Sequence, residues 1–149
     1  MALTVLLCTD GSEPALNALA AGIAVLGPAD RTVIATVVEH GDPTLVTGTG
    51  MASGVMSAED FDRLEQDRAT AARAALDQAA STLDLPGAET VAVAGAPGPS
   101  LCDLAASLPA SVIVMGTRGH GGIRRAVLGS VSDHVVRNAP CPVLTIGLE

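Results

Sequence analysis

Five short runs of β-branched and aliphatic residues alternate along this chain with segments whose apolar residues recur at helical spacing, and that alternation limits the fold more than any other feature. The runs are Leu3 to Cys8, Thr32 to Val38, Glu89 to Gly95, Ser111 to Met115 and Pro142 to Ile146. Between the first two, Leu16, Leu19, Ile23 and Leu26 mark a helix that Ser12 caps and Gly27-Pro28 stops. Strand, helix, strand implies a right-handed crossover and parallel pairing. A long helix carries Phe61, Leu64, Ala71, Ala75, Leu76, Ala79 and Leu83, opens at Ser57 with Asp60 in a capping-box arrangement, and ends near Asp84 to Gly87. A short helix is predicted over Ser100 to Leu108 and a last one from Ser130 to Asn138-Ala139-Pro140. The expected fold class is therefore α/β: a single doubly wound five-stranded parallel sheet, with ligands beyond the carboxyl ends of the strands where the winding reverses.

Composition supports this and removes several functions. A chain of 149 residues fits one domain, 1–149. Phe61 is its one aromatic residue, so the core must be built from Val, Leu, Ile and Ala, which suits a parallel sheet under alanine-rich helices. The net charge of −8 argues against nucleic acid and against an anionic membrane as partners, since both need a basic surface. Cys8, Cys102 and Cys141 are odd in number and widely spaced, which reads as buried thiols in a reducing compartment rather than a disulfide framework or a zinc site. No leader pattern and no long apolar span is evident, so the expected location is cytoplasmic. All eight basic residues are arginine, which excludes a Walker A loop and its lysine. Four of them, Arg118, Arg124, Arg125 and Arg137, lie on or just after a single glycine-rich loop.

That loop belongs to the stretch from Val112 to Arg137. An apolar strand breaks at Gly116, passes through glycine and arginine, and resumes as a helix after Gly129-Ser130. A helix N-terminus leaves backbone N–H groups unpaired at the positive end of the peptide dipoles, so a phosphate there finds donors and favourable charge. Ser130 and Ser132 add hydroxyls, and Gly116, Gly119 and Gly129 allow positive φ and close approach to a ligand. The spacing is Gly116, two residues, Gly119, nine residues, Gly129-Ser130. With the opening Val-Leu-Leu-Cys-Thr-Asp-Gly-Ser-Glu and the closing Pro-Cys-Pro-Val-Leu-Thr-Ile, it resembles the universal stress protein family, specifically its ATP-binding branch. The resemblance spans all but the segment from about Gly41 to Ser57, which reads as a flap beside the site or as disorder.

The resemblance implies the strand order 3-2-1-4-5, which would put Asp10 and Gly116 across one crevice. It implies a ribose-binding role for Asp10, otherwise a turn cap, and a backbone and apolar wall for adenine at Val37, otherwise a core valine. Met115 can pack on the purine or in the core. Thr9, Gly116, Arg118, Gly119, Gly129, Ser130, Val131 and Ser132 complete the implied nucleotide set. Ser130 can equally be an N-cap with Asp133 closing a capping box, although an acidic first turn would repel phosphate slightly. Arg118 and Arg124 can clamp phosphate or be solvated, while His120 has no visible partner for general-base work. His40 and His134 show no metal-ligand spacing, so any Mg²⁺ or Mn²⁺ would be held mainly by the phosphates of ATP.

The expected function is a nucleotide-dependent stress-response regulatory module rather than an enzyme, with slow ATP hydrolysis still open. The alternatives are a nucleotide-free dimeric scaffold of the same fold and a flavin carrier, which would want more aromatics than Phe61. The C-terminal strand is expected at an edge, and the resemblance implies a homodimer through it.

Overall fold

The computed structural model describes residues 2–39, 57–117 and 129–147. The segment from Gly41 to Met56 and the loop residues Arg118, Gly119, His120, Arg124 and Arg125 lie outside the described residues, as does His40. In chain order the elements are β1 (Thr4–Cys8), α1 (Glu13–Leu26), β2 (Arg31–Val38), α2 (Ala58–Thr82), β3 (Glu89–Ala94), α3 (Pro97–Ser107), β4 (Val112–Gly116), α4 (Ser130–Asn138) and β5 (Val143–Ile146). All pairings are parallel and the sheet runs β3-β2-β1-β4-β5, the expected order. Strand boundaries shift by about one residue from the expectation, as ends usually do. The short helix starts earlier than expected, at Pro97 instead of Ser100. Its first turn holds Pro97 and Pro99, where a missing N–H costs nothing and the fixed φ is already helical.

Each central strand alternates between two apolar layers. Val5, Leu7, Ile34, Val112 and Val114 pack with Leu16 and Leu19 of α1 and Leu76 and Ala79 of α2. Leu6, Cys8, Val33, Ala35, Ile113 and Met115 pack with Leu101 and Ala105 of α3 and Val135 of α4. Leu6, Leu7, Ile34 and Ile113 are wholly buried, each contributing roughly 1.5–3 kcal/mol relative to exposure. With no aromatic residue in either apolar layer, helices can lie close to the sheet. A Cβ at Gly22 in α1 would lie 2.5 Å from Val114 Cγ1 and 2.8 Å from Ile146 Cδ1, so glycine there sets how near α1 comes to β4 and β5. Among the described residues, no helix is long and apolar enough to cross a membrane.

Caps behave as expected on the α1/α2 side. Ser12 Oγ accepts from the Ala15 N–H at 3.3 Å and Ser57 Oγ from the Asp60 N–H at 3.1 Å. At the other end of α2, the Leu85 N–H donates to the Ala80 carbonyl and the Asp84 N–H to the Ser81 carbonyl, a Schellman closure that puts Asp84 at φ 54°. Aspartate occupies a position where glycine is the unstrained choice.

The three cysteines converge on one layer. Cys8 is buried, and Cys102 and Cys141 are half-buried against the same cluster, so the expectation of buried thiols holds fully only for Cys8. Burial, with smaller contributions from the other two thiols, pushes Cys8 up to about 12. Burial also raises Cys102, helped by Asp103, and Cys141, helped by Cys102 and opposed by a hydrogen bond from the Ile113 backbone.

Three outcomes are expected. Gly22→Ala should lower stability by about 1–2 kcal/mol in urea unfolding, because overpacking against stiff Val114 exceeds the helix-propensity gain. Asp84→Gly should raise it by roughly 0.5–1 kcal/mol in the same assay. Cys8 is neutral in the folded protein and its pKa there lies above the unfolded value of 9.0, so its contribution is full below that pH and lost as pH rises toward 12. Stability followed from neutral to alkaline pH should therefore fall above roughly pH 9, and Cys8→Ala should flatten that slope by up to ~1.4 kcal/mol per pH unit.

Candidate functional site

The winding of the sheet reverses between β1 and β4. Cys8 pairs with Met115, so one step further along the two strands Thr9 and Gly116 lie level, with Asp10 and Thr117 just beyond. The expected juxtaposition of the Asp10 turn with the start of the glycine loop is present.

On the β1 side the turn is held by its own polar groups. The Thr9 N–H donates to the Ala35 carbonyl at 3.0 Å, and Thr9 Oγ1 accepts from the Gly11 N–H at 3.0 Å. Asp10 is exposed, and its Oδ1 accepts from the Ser12 N–H at 2.9 Å and from Ser12 Oγ at 2.5 Å. Gly11 has φ +84°, and a Cβ there would also sit 3.1 Å from Ala75 Cβ of α2, so the turn requires glycine on two counts. Asp10 thus carries out the turn-capping role weighed for it while facing outward at the strand end.

On the β4 side the chain leaves at Thr117 and returns at Gly129. The Thr117 N–H continues the ladder to the Ile146 carbonyl at 3.1 Å, and the Thr117 carbonyl accepts from the Gly129 N–H at 3.2 Å. Thr117 therefore forms the neck of the loop, a role that sequence reasoning missed. The only signal was its place directly after Gly116. Gly116 ends β4 opposite Ile146, and Gly129 has φ −62°, so neither adopts the positive φ expected of it; among the described residues the positive-φ glycines are Gly11, Gly27 and Gly95. The need for glycine at 129 is close approach instead: a Cβ would lie 3.1 Å from the Thr117 carbonyl oxygen.

The capping box expected at Ser130 is absent. Gly129 is the N-cap of α4, which shifts Ser130 into the helix, and no side chain caps this end. Asp133 is turned down the helix to Arg137, whose Nε lies 3.0 and 3.1 Å from its two carboxylate oxygens. That pairing draws the acidic charge away from the N-terminus and lessens the repulsion expected for phosphate. Ser132 is 2% exposed and its Oγ donates to the Gly129 carbonyl at 3.0 Å, whereas Ser130 is exposed. Of the two serines, Ser130 is the one at the surface. Val131 is half-buried against the α3/α4 layer.

Met115 is 6% exposed inside the α3/α4 layer, and Val37 is half-buried against the same cluster, so both serve as core. A second feature invisible in sequence joins the helices of that layer: a Cβ at Gly98 would come within 2.7 Å of the His134 ring, so α3 and α4 touch through glycine and histidine. Among the described residues no cluster of three or more His, Cys, Asp or Glu is set to hold a metal. A groove of about 470 Å³ at the far end of β1, by Ile23, Pro28 and Leu85, is aliphatic apart from Thr32 and offers little chemistry.

Comparison with known proteins agrees with this architecture. A universal stress protein of Thermus aquaticus is 30% identical over 144 residues, 96% of this chain and 97% of that one. A universal stress protein of Methanocaldococcus jannaschii is 44% identical over a shorter stretch of 52 residues, 35% of this chain and 31% of the relative's length. Among solved structures, universal stress protein UspA from Lactobacillus plantarum superposes with a TM-score of 0.76 at 23% identity, covering 97% of each chain. A universal stress protein solved in complex with cAMP superposes with a TM-score of 0.64 at 28% identity, again over 97% of both chains. The model of the universal stress protein family matches residues 1–147, and with the sheet order and the strand-end crevice this establishes that the chain belongs to that family.

Proposed function

We propose that this protein binds an adenine nucleotide, ATP above all, in the crevice between the Asp10 turn and the N-terminus of α4, and that occupancy there regulates its conformation or its partners. The observation that carries the proposal is the contrast between helix ends. Side chains cap α1 and α2, and α3, which also lacks a side-chain cap, has prolines in its first turn and so fewer N–H groups to offer, while α4 presents an uncapped, proline-free first turn beyond the sheet reversal, beside the exposed Ser130 and next to Asp10. Phosphate oxygens are the acceptors that such an end lacks. In this reading Ser130, Val131 and Ser132 supply backbone N–H groups, Ser130 adds its hydroxyl, and Arg118 and Gly119 complete the loop. Asp10 and Thr9 face the ribose, while Val37, Met115 and Gly116 border the base side. The cAMP complex of a 28%-identical relative supports an adenine nucleotide as the class of ligand.

Mg²⁺ or Mn²⁺ would be held mainly by the nucleotide's phosphates, with slow hydrolysis as a side reaction and no dedicated base. The protein acts as a cytoplasmic regulator rather than an enzyme, and as a homodimer through β5, which is a sheet edge of four half-buried residues.

Nucleotide extracted from freshly purified protein and identified by mass spectrometry should be ATP. Ser130→Ala should weaken ATP about tenfold by calorimetry, the loss of one hydrogen bond of ~1.4 kcal/mol, and Gly119→Ala should abolish copurified nucleotide. Ser132→Ala should cost about 1 kcal/mol of stability and change affinity less than Ser130→Ala, because its hydroxyl already bonds Gly129. Native protein that is empty and does not take up titrated ATP would favour a nucleotide-free scaffold.

A further inference from the structure

β3 stands at the end of the sheet opposite β5, and the direction of its peptide groups can be worked out. The Gly95 N–H donates to the Val38 carbonyl on β2 at 3.1 Å. Peptide groups alternate sides along a strand, so Glu89, Val91 and Val93 turn theirs toward β2 while Thr90, Ala92 and Ala94 turn theirs outward. One of those outward carbonyls, on Ala94, accepts from Ser100 Oγ at 3.5 Å.

Exposed edges are usually blunted by lysine, proline, a bulge or an inward charge. The stretch Thr90-Val91-Ala92-Val93-Ala94 has no charge and no proline. Glu89, at its start, is engaged by Arg31 through two hydrogen bonds of 2.8 Å. Beside this edge a groove of about 430 Å³ runs between the strand and α3, with Val93 and Leu104 as apolar wall, Ser100 and Ser107 as hydroxyls, and Asp103 as its one charged group.

We propose that β3 is a docking edge for an extended, positively charged segment of another protein. The segment adds a sixth strand through the outward main-chain groups of Thr90 and Ala92 and the outward N–H of Ala94, lays alternate apolar side chains along Val93 and Leu104, and sets a lysine or arginine on Asp103. Local charge favours such a segment over a second copy: Asp103 is the one charged group of the groove, and the edge that a second copy would bring, Thr90 to Ala94, carries no cation to pair with it, whereas a cationic segment does. The proposal rests on the strand edge alone and is independent of the nucleotide reading.

The test uses the full-length ¹⁵N-labelled protein and a short, acetylated and amidated peptide of alternating arginine and valine, followed by amide hydrogen exchange. With peptide at ten times its Kd, exchange at Thr90, Ala92 and Ala94 should slow by about tenfold, while Val91 and Val93, already bonded to β2, stay unchanged. The matching glutamate–valine peptide should bind at least about tenfold more weakly. Asp103→Arg, at an exposed helix position, should weaken the arginine–valine peptide by a similar factor while leaving the amide spectrum of the sheet intact and ATP uptake unaltered. Absence of the alternating protection, protection confined to other residues, equal binding of the acidic peptide, or indifference to Asp103→Arg would overturn the proposal. So would edge amides already protected in the free protein in a concentration-dependent way, which would assign the edge to a second copy.

Discussion

Everything else in this molecule depends on the pairing of β1 with β4. These strands come from opposite ends of the chain, yet they form the centre of the sheet, and most of their side chains are buried on both faces. Because β1 is also paired with β2, the chain winds outward in one direction through β3 and must return to lay down β4 on the other side. That return creates the reversal. It also leaves the helices that follow β1 and β4 on opposite faces of the sheet, so that among the described residues neither helix covers the space between Thr9 and Gly116.

The two walls of that space differ electrostatically. On the β1 side, Thr9, Asp10 and Ser12 satisfy one another and the first turn of α1, giving a rigid turn whose outward feature is a carboxylate. On the β4 side, Gly129 caps α4 without a side-chain acceptor, and Asp133 is committed to Arg137. A donor-rich helix end therefore faces an acceptor-bearing turn. A ligand with phosphate at one end and hydroxyls at the other would suit both, and a nucleotide has that polarity.

The absence of aromatics from both apolar layers shapes the packing. Small residues bring elements together where bulk would otherwise hold them apart: Gly22 against Val114 and Ile146, Gly11 against Ala75, and Gly98 against His134. Interiors transmit strain because they are close-packed, so these contacts fix the helices relative to the strand ends from which the crevice is made. Small residues also form much of the β3 edge, whose stretch Thr90 to Ala94 carries no charge and no large side chain. β5 is short and half-buried, whereas β3 is longer, more exposed and bordered by an acidic groove.

The strand and helix order, the α/β class, the caps at Ser12 and Ser57, and the stop at Asp84 to Gly87 were legible in the residues, because each depends on local periodicity or on a side chain bonding its own near neighbours. The sheet order came with the family resemblance, not with the pattern. Local reasoning failed where a neighbour distant in sequence decides. It assigned positive φ to Gly116 and Gly129, but the ladder to Ile146 keeps one extended and the Thr117 carbonyl demands close approach at the other. It started α4 correctly at Ser130 but also offered Ser130 as its cap, whereas Gly129, whose N–H the Thr117 carbonyl holds, is the N-cap. It started α3 at Ser100, whereas the helix begins at Pro97, because proline is permitted in a first turn. The convergence of three cysteines on one layer, the neck at Thr117 and the Gly98–His134 contact belong to tertiary structure alone. By itself the sequence determined which elements form and which stretch carries the anion-site pattern; only the folded sheet decided which backbone groups remain open, because that depends on carbonyls and side chains brought from elsewhere in the chain.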